Sequence, residues 1–333
     1  MPHHWTKELS LAYRTPQDLF DAGLINKEDV PSLTPILKRY QFLLPRYYAK
    51  LIDRTDPHCP IRLQAIPSAQ EAAQAPEWEQ DPLSDLHHQP APHVTHRYRD
   101  RALIHLTPNC SMYCRYCFRK TLLNDLKADL FGGEISSAIL YLRDHSEIRE
   151  VIFSGGDPLM SPDKTLSKVL AEINQIPSVK RVRFHTRVPV TFPNRITEDL
   201  LSSLSVFSGK KILVTHFNHP RELTPESINA CRKLSSALVL LNQSVLLKGV
   251  NDKVEVLEKL SGELFETGIL PYYLHHPDQS QGTQHFDVSR AQGLEIYRSL
   301  KSRISGYLVP RYVVDEVGRP YKKDVCDQSS VPV

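Results

Sequence analysis

From residue 102 onward, short apolar, β-branched runs alternate with longer stretches whose apolar residues recur at helical spacing. The runs predict strands at Ala102–Leu106, Glu150–Ser154, Arg181–His185, Lys211–Thr215, Leu238–Val245 and Leu270–Leu274. The longer stretches predict helices at Glu134–Asp144, Asp163–Gln175, Thr197–Leu204, Thr224–Leu234, Asp252–Glu266 and Val288–Ser302. Ser161-Pro162-Asp163 and Thr224-Pro225-Glu226 read as helix starts. Consecutive βα units with right-handed crossovers make a parallel sheet that curls toward a barrel. Six units rather than eight predict an α/β fold with a partial, open (βα)6 barrel of the TIM type. A doubly wound open sheet is the competing topology. Polar residues gather where the strands end: Ser154 to Asp157, His185 to Arg187, His216 to His219, and His275, His276 and Asp278, with Asn242 and Gln243 in the fifth strand. Barrels place their chemistry at those ends, which favours the barrel.

Before this rhythm the chain differs. Residues 1 to 55 read as helical, with Asp18–Leu24 and Ile36–Ile52 carrying helical spacing interrupted by Pro45. Between 56 and 95, Pro, Gln, His and Ala crowd together, the pattern of an extended lead-in or linker. The expected division is a helical extension and linker over 1–95, a barrel over 96–310, and a C-terminal segment over 311–333.

At 333 residues, 41% hydrophobic and 24% charged, the composition is that of a globular protein. A net charge of +3 gives no ground for a nucleic-acid or membrane partner. The first residues lack an apolar signal core and the expected location is cytoplasmic. Six cysteines, three of them packed into one short loop, point to metal binding rather than disulfides.

That loop is Cys110, Cys114 and Cys117, spaced CxxxCxxC. Three thiolates are one too few to close a four-iron cluster, so one iron stays open for a small molecule. Radical chemistry with S-adenosylmethionine (SAM) needs that arrangement. A zinc site is the rival, but zinc takes four closed ligands, commonly in two pairs, and Cys59, Cys231 and Cys326 are scattered singly. Gly155-Gly156-Asp157 ends the next strand, where two glycines let backbone approach a ligand and a carboxylate can meet the amino group of SAM. Tyr116 supplies an aromatic wall for the cluster or the adenine.

The stretch from His96 to Lys120, with Phe153–Leu159, His216–Pro220, Leu241–Asp252 and Gly306–Pro310, resembles the lysine 2,3-aminomutases, most closely their short members linked to elongation factor P. The resemblance runs from about residue 95 to 323 and implies a radical SAM enzyme on a partial (βα)6 barrel that also uses pyridoxal phosphate (PLP). It places His216 and Gln243 against SAM. Arg97 and Arg101 match the arginines that hold the PLP phosphate, and Arg187 resembles a third. Two guanidiniums on one dianion are sound electrostatics. Lys322 matches the PLP lysine, although Lys323 is adjacent and the glycine-rich loop before it is reduced to Val317–Tyr321.

Arg119 matches the arginine for the substrate carboxylate, and Asp278 and Asp315 match the acids for its distal ammonium. Two carboxylates facing one ammonium select lysine over neutral or acidic side chains. The implied reaction moves the α-amino group of lysine to the β-carbon after a 5′-deoxyadenosyl radical removes hydrogen there. The implied partners are elongation factor P with its lysyl-ligase, and an electron donor such as a flavodoxin or ferredoxin. Two other readings stand beside this one: supply of free β-lysine to another pathway, and a non-enzymatic iron–sulfur or zinc scaffold.

Overall fold

The computed structural model describes residues 4–73, 75–124 and 129–326. The last residues of the expected C-terminal segment, 327–333, lie outside the described residues. Among the described residues nine strands form one sheet in simple chain order: β1 (Val94–Tyr98), β2 (Arg101–Thr107), β3 (Glu150–Gly155), β4 (Arg181–His185), β5 (Lys210–Thr215), β6 (Val239–Val245), β7 (Leu270–His275), β8 (Arg311–Val314) and β9 (Lys323–Asp324). Strands β2 to β8 pair in parallel, while β1 and β9 are antiparallel ribbons on the two edges. An order that never reverses is that of a barrel; a doubly wound sheet changes direction at a switch point. The sheet is not closed, so the fold is a partial barrel.

Helices cover the outside. Among the described residues α1 (His4–Ser10), α2 (Pro16–Asp21), α3 (Asp29–Arg39), α4 (Arg46–Ala49) and α5 (Pro60–Ala65) precede the sheet. The crossovers carry α6 (Ile135–Asp144), α7 (Asp163–Asn174), α8 (Val188–Thr191), α9 (Glu198–Ser205), α10 (Pro225–Ser235), α11 (Val254–Glu266) and α12 (Arg290–Arg303). The inward stripe of α7, Leu166, Val169, Leu170 and Ile173, is fully buried, as its i, i+3, i+4, i+7 spacing requires. Thr224 caps α10 by accepting from the Ser227 amide. Ser161 does not cap α7, which starts after Pro162 without a side-chain cap.

The strand expectations hold, and the sheet adds β1, β8 and β9. Strand β8 is four residues long, too short for periodicity to separate from loop. The stretch Ile36–Ile52 is not one helix. Helix α3 ends at Arg39, Tyr40 turns extended, and Leu44 pairs with Tyr13 before α4 begins after Pro45. One continuous hydrophobic cluster runs from Trp5, Leu33 and Tyr48 of the N-terminal helices to Val151, Phe184 and Leu240 of the barrel. The polar segment after residue 56 is packed as well. It buries Gln64, Glu71 and Asp85, and Glu79 bridges to Ser280 beyond β7.

Candidate active site

The carboxyl ends of the parallel strands open into a cavity of ≈ 630 Å³. Cys110, Cys114, Tyr116, Cys117, Gly155, Gly156, Asp157, Arg187, His216 and Gln243 line it, together with Arg97, Arg101, Arg119, Asp278, Asp315 and Lys322. These candidate residues therefore face one space. They divide between a cysteine region and a region of opposed charges.

The cysteine loop leaves β2 and docks on the end of β3. The Gly156 amide donates to Thr107 O at 2.8 Å, and the Asp157 amide to Asn109 O at 2.8 Å. A Cβ on Gly156 would stand 2.5 Å from Asn109 O and 2.6 Å from the Pro108 carbonyl carbon. Gly155 has φ +106°, a conformation open to glycine. These glycines thus seat strand on loop, a reason for them that differs from ligand approach alone. The Asp157 carboxylate turns to the protein, accepting from the Thr186 hydroxyl (2.7 Å) and the amides of Arg187 (2.7 Å) and Leu159 (3.1 Å).

Arg115 and Lys120, within and just after the cysteine run, converge on buried Glu71. Arg115 Nε donates at 3.0 Å and Lys120 Nζ at 2.7 Å. Burial alone would raise the Glu71 pKa, but the two cations outweigh it and hold it at about 2. The N-terminal segment thereby clamps the loop from both flanks. Among the described residues no three His, Cys, Asp or Glu side chains converge as ligands of one metal ion. Three free thiols lining the cavity are one ligand short of a closed zinc site, and they suit separate corners of a larger cluster. Beside them the Tyr116 hydroxyl and His216 Nε2 are buried without hydrogen-bond partners, their rings 5.6 Å apart. Such orphaned groups fit the polar edges of a nucleoside.

Arg187 lies on this side of the cavity. Its guanidinium donates to Cys114 Sγ (2.9 Å), His216 O (3.2 Å), Tyr48 Oη (3.1 Å), Gln64 Oε1 (2.7 Å) and Glu222 Oε1 (2.5 Å). Grouped with Arg97 and Arg101 in the sequence, it is committed in the structure to the cysteine loop.

In the other region, Arg97 and Arg101 project from β1 and the start of β2, with Arg101 stacked 4.1 Å over the Tyr98 ring. The Tyr98 hydroxyl donates to Asp315 Oδ1 at 3.0 Å, and Arg97 Nη2 donates to Glu316 O at 3.3 Å. Lys322 Nζ pairs with Asp315 Oδ2. Lys322 lines the cavity, whereas Lys323 reaches toward Glu316 at 3.5 Å. Asp278 and Asp315 share the space and titrate apart. Burial and the charge of Asp315 push Asp278 up to about 7. For Asp315, burial acts upward but Lys322 outweighs it and holds the group at about 2. Arg119 Nε donates to Asp85 Oδ2 at 2.7 Å and its Nη1 to Ser154 Oγ at 3.3 Å.

Sequence reasoning missed Asp85, Glu71 and Tyr98. Asp85 and Glu71 sit in a segment with no periodicity, and only the ion pairs of the fold reveal them. Tyr98, between two singled-out arginines, carried a signal: an aromatic within a basic run. His185, partly buried in the cavity wall, holds a buried Nε2 without a partner; in the sequence it reads only as a polar strand end.

Residues 104–260 match the radical SAM superfamily. The L-lysine 2,3-aminomutase of Haemophilus influenzae is 39% identical over 322 residues, 96% of this chain and 94% of that protein. Those of Clostridium subterminale and Escherichia coli are 40% and 36% identical, covering 94% and 96% of this chain and 76% and 93% of the respective proteins. Identity of this order over nearly the whole chain shows the family: this chain belongs to the lysine 2,3-aminomutases, isomerases of the radical SAM superfamily that work with a [4Fe–4S] cluster and SAM.

Proposed function

We propose that this enzyme converts L-α-lysine to β-lysine with PLP as a second cofactor. The observation that carries this reading is the charge layout of one cavity, lined by Arg119, by the acids Asp278 and Asp315, and by Lys322 with Arg97 and Arg101. A molecule with a carboxylate at one end and an ammonium at the other satisfies both sets; a neutral or acidic side chain leaves the Asp278 carboxylate with no cation of its own.

In this reading Cys110, Cys114 and Cys117 hold the cluster. Tyr116, His216, Gln243 and the Gly155–Asp157 turn receive SAM. The amides of Gly156 and Asp157 are already donated to the cysteine loop, so the turn offers acceptors, which suit an ammonium. Arg97 and Arg101 neutralise the PLP phosphate, and Lys322 holds the cofactor. Together the bound groups supply a 5′-deoxyadenosyl radical and an electron sink for the migrating nitrogen. The protein's share is positioning and exclusion of water. Arg119, oriented by Asp85, fixes the carboxylate, and Asp278 and Asp315 fix the distal ammonium, so the β-carbon is held in one place. The walls of the cavity keep solvent from the radicals.

The finer biological role we infer is supply of β-lysine for elongation factor P, in the cytoplasm, with electrons from a flavodoxin- or ferredoxin-type donor. Its support is the motif resemblance to the short members of the family. Among the described residues no helix is long and apolar enough to cross a membrane. Two experiments test the reading. Borohydride reduction of the PLP-loaded protein followed by peptide mapping should label Lys322; a label on Lys323 would reassign the cofactor lysine. Purified elongation factor P and its lysyl-ligase, supplied with α-lysine, should acquire the β-isomer when this enzyme and its cofactors are added. Attachment with no preference for that isomer would favour free β-lysine as the product's destination.

A further inference from the structure

Arg187 makes a contact that substrate handling does not require. Its Nη1 lies 2.9 Å from the sulfur of Cys114, a thiol that lines the cavity. The rest of the guanidinium is pinned from three parts of the chain. Tyr48 and Gln64 come from the N-terminal extension, Glu222 follows β5, and the His216 carbonyl closes the ring. Glu222 is itself fixed, accepting from the Tyr48 hydroxyl (2.6 Å) and from the amides of Asn218 (2.7 Å) and His219 (3.0 Å). Arg187 and Glu222 are both buried. A cation held this firmly against one sulfur is expensive to bury, and packing alone would be served by an apolar residue.

We infer that Arg187 sets the reduction potential of the iron–sulfur cluster by donating a charged hydrogen bond to the Cys114 thiolate, with Glu222 as the counter-charge that limits its effect. The inference rests on the reading that Cys110, Cys114 and Cys117 hold the cluster. Reduction adds one negative charge to the cluster. A hydrogen bond and a positive charge at a ligating sulfur favour the reduced state, and such bonds are among the levers that place these potentials. Low dielectric around the buried pair keeps the effect from being screened. Glu222 works in the opposite direction, because its negative charge offsets that of Arg187. Arg187 is thus a positioning and tuning residue for the cluster.

The two side chains therefore make predictions of opposite sign. The full chain is reconstituted anaerobically with iron and sulfide, and the cluster is titrated with a reductant and followed by electron paramagnetic resonance, without SAM. Arg187→Met should move the midpoint to more negative potential, by at least a tenfold change in the ratio of reduced to oxidised cluster, about 59 mV for one electron. Glu222→Gln should move it to more positive potential. A purely structural role would lower iron content in both variants or move both midpoints the same way. Midpoints unchanged in fully loaded variants, or shifted in the same direction, overturn the inference. If Arg187→Met does not hold iron, Glu222→Gln decides: a positive shift supports the tuning role and an unchanged or negative midpoint refutes it. Iron and sulfide analysis of the unmodified protein tests the cluster reading separately, since iron content concerns the ligands and not the potential.

Discussion

Asp278 and Asp315 line one cavity, and their surroundings separate them by several pH units. Asp315 has Lys322 and the Tyr98 hydroxyl on its two oxygens, with Arg97 at 4.0 Å. Asp278 feels Asp315 and Asp85 as repulsion, and Lys322 and Arg119 as attraction. In cofactor-free protein the folded chain therefore holds a proton on Asp278, between pH about 4 and about 7, that the unfolded chain releases. Stability falls as pH rises through that window and stays lower above it. Asp315 acts the other way: its contribution is present above pH about 4 and is lost as pH falls toward about 2. In the proposed reading, an arriving lysine ammonium needs Asp278 ionised. Lysine affinity should tighten about tenfold between pH 6 and 8, the change in ionised fraction of one group with pKa near 7, and Asp278→Asn should bind weakly and flatten the profile. Cofactor-free Asp278→Asn should also melt about 2 °C higher at pH 8, since one unpaired buried charge is gone. Asp85→Ala removes the partner of Arg119 Nε and lets the guanidinium turn. KM for lysine should rise about tenfold, roughly 1.4 kcal/mol, while iron content is unchanged. An unchanged KM would free Arg119 from dependence on Asp85.

The end of β3 and the cysteine loop form one unit, because Gly156 leaves no room for a Cβ against Asn109 O and the Pro108 carbonyl. Both contacts are backbone, so Gly156→Ala cannot be relieved by a rotamer change. We expect it to hold less than half the iron of the unmodified chain after reconstitution, measured as iron per chain, and full iron content would contradict this. The same scale explains what periodicity could and could not reveal. Strands β3 to β7 and helices α6, α7 and α9 to α12 are long enough to repeat their pattern, and their expected bounds fall within a few residues of the structure. The stretch Ile36–Ile52 carried helical spacing, yet Tyr40 leaves the helix and Leu44 pairs with Tyr13. A tertiary pairing overrode the local pattern there. Glu71 and Asp85 show no pattern because their places are set by Arg115, Lys120 and Arg119, which arrive from elsewhere in the chain.

Across the whole molecule, an open sheet with two antiparallel edge ribbons brings β1 and the end of β8 together through side chains. Tyr98 to Asp315 and Arg97 to the Glu316 carbonyl span the gap that backbone pairing leaves. Arg97, Arg101, Asp315 and Lys322 thus come from both edges; the family resemblance named each of them, but their nearness in space was not legible from the sequence. Tyr98→Phe should loosen that seam, seen as faster amide hydrogen exchange at β8 and β9 with α6 and α7 unchanged; exchange unaltered at β9 would mean the seam is held otherwise. In the proposed reading, one cavity joins a radical source to a lysine bound at both ends. Anaerobic incubation of the reconstituted protein with L-α-lysine, SAM, PLP and a reductant, followed by proton nuclear magnetic resonance, tests it most directly. New resonances of β-lysine should appear, and should be absent when SAM or PLP is omitted. A protein with a full cluster and bound PLP that leaves lysine unchanged would contradict it.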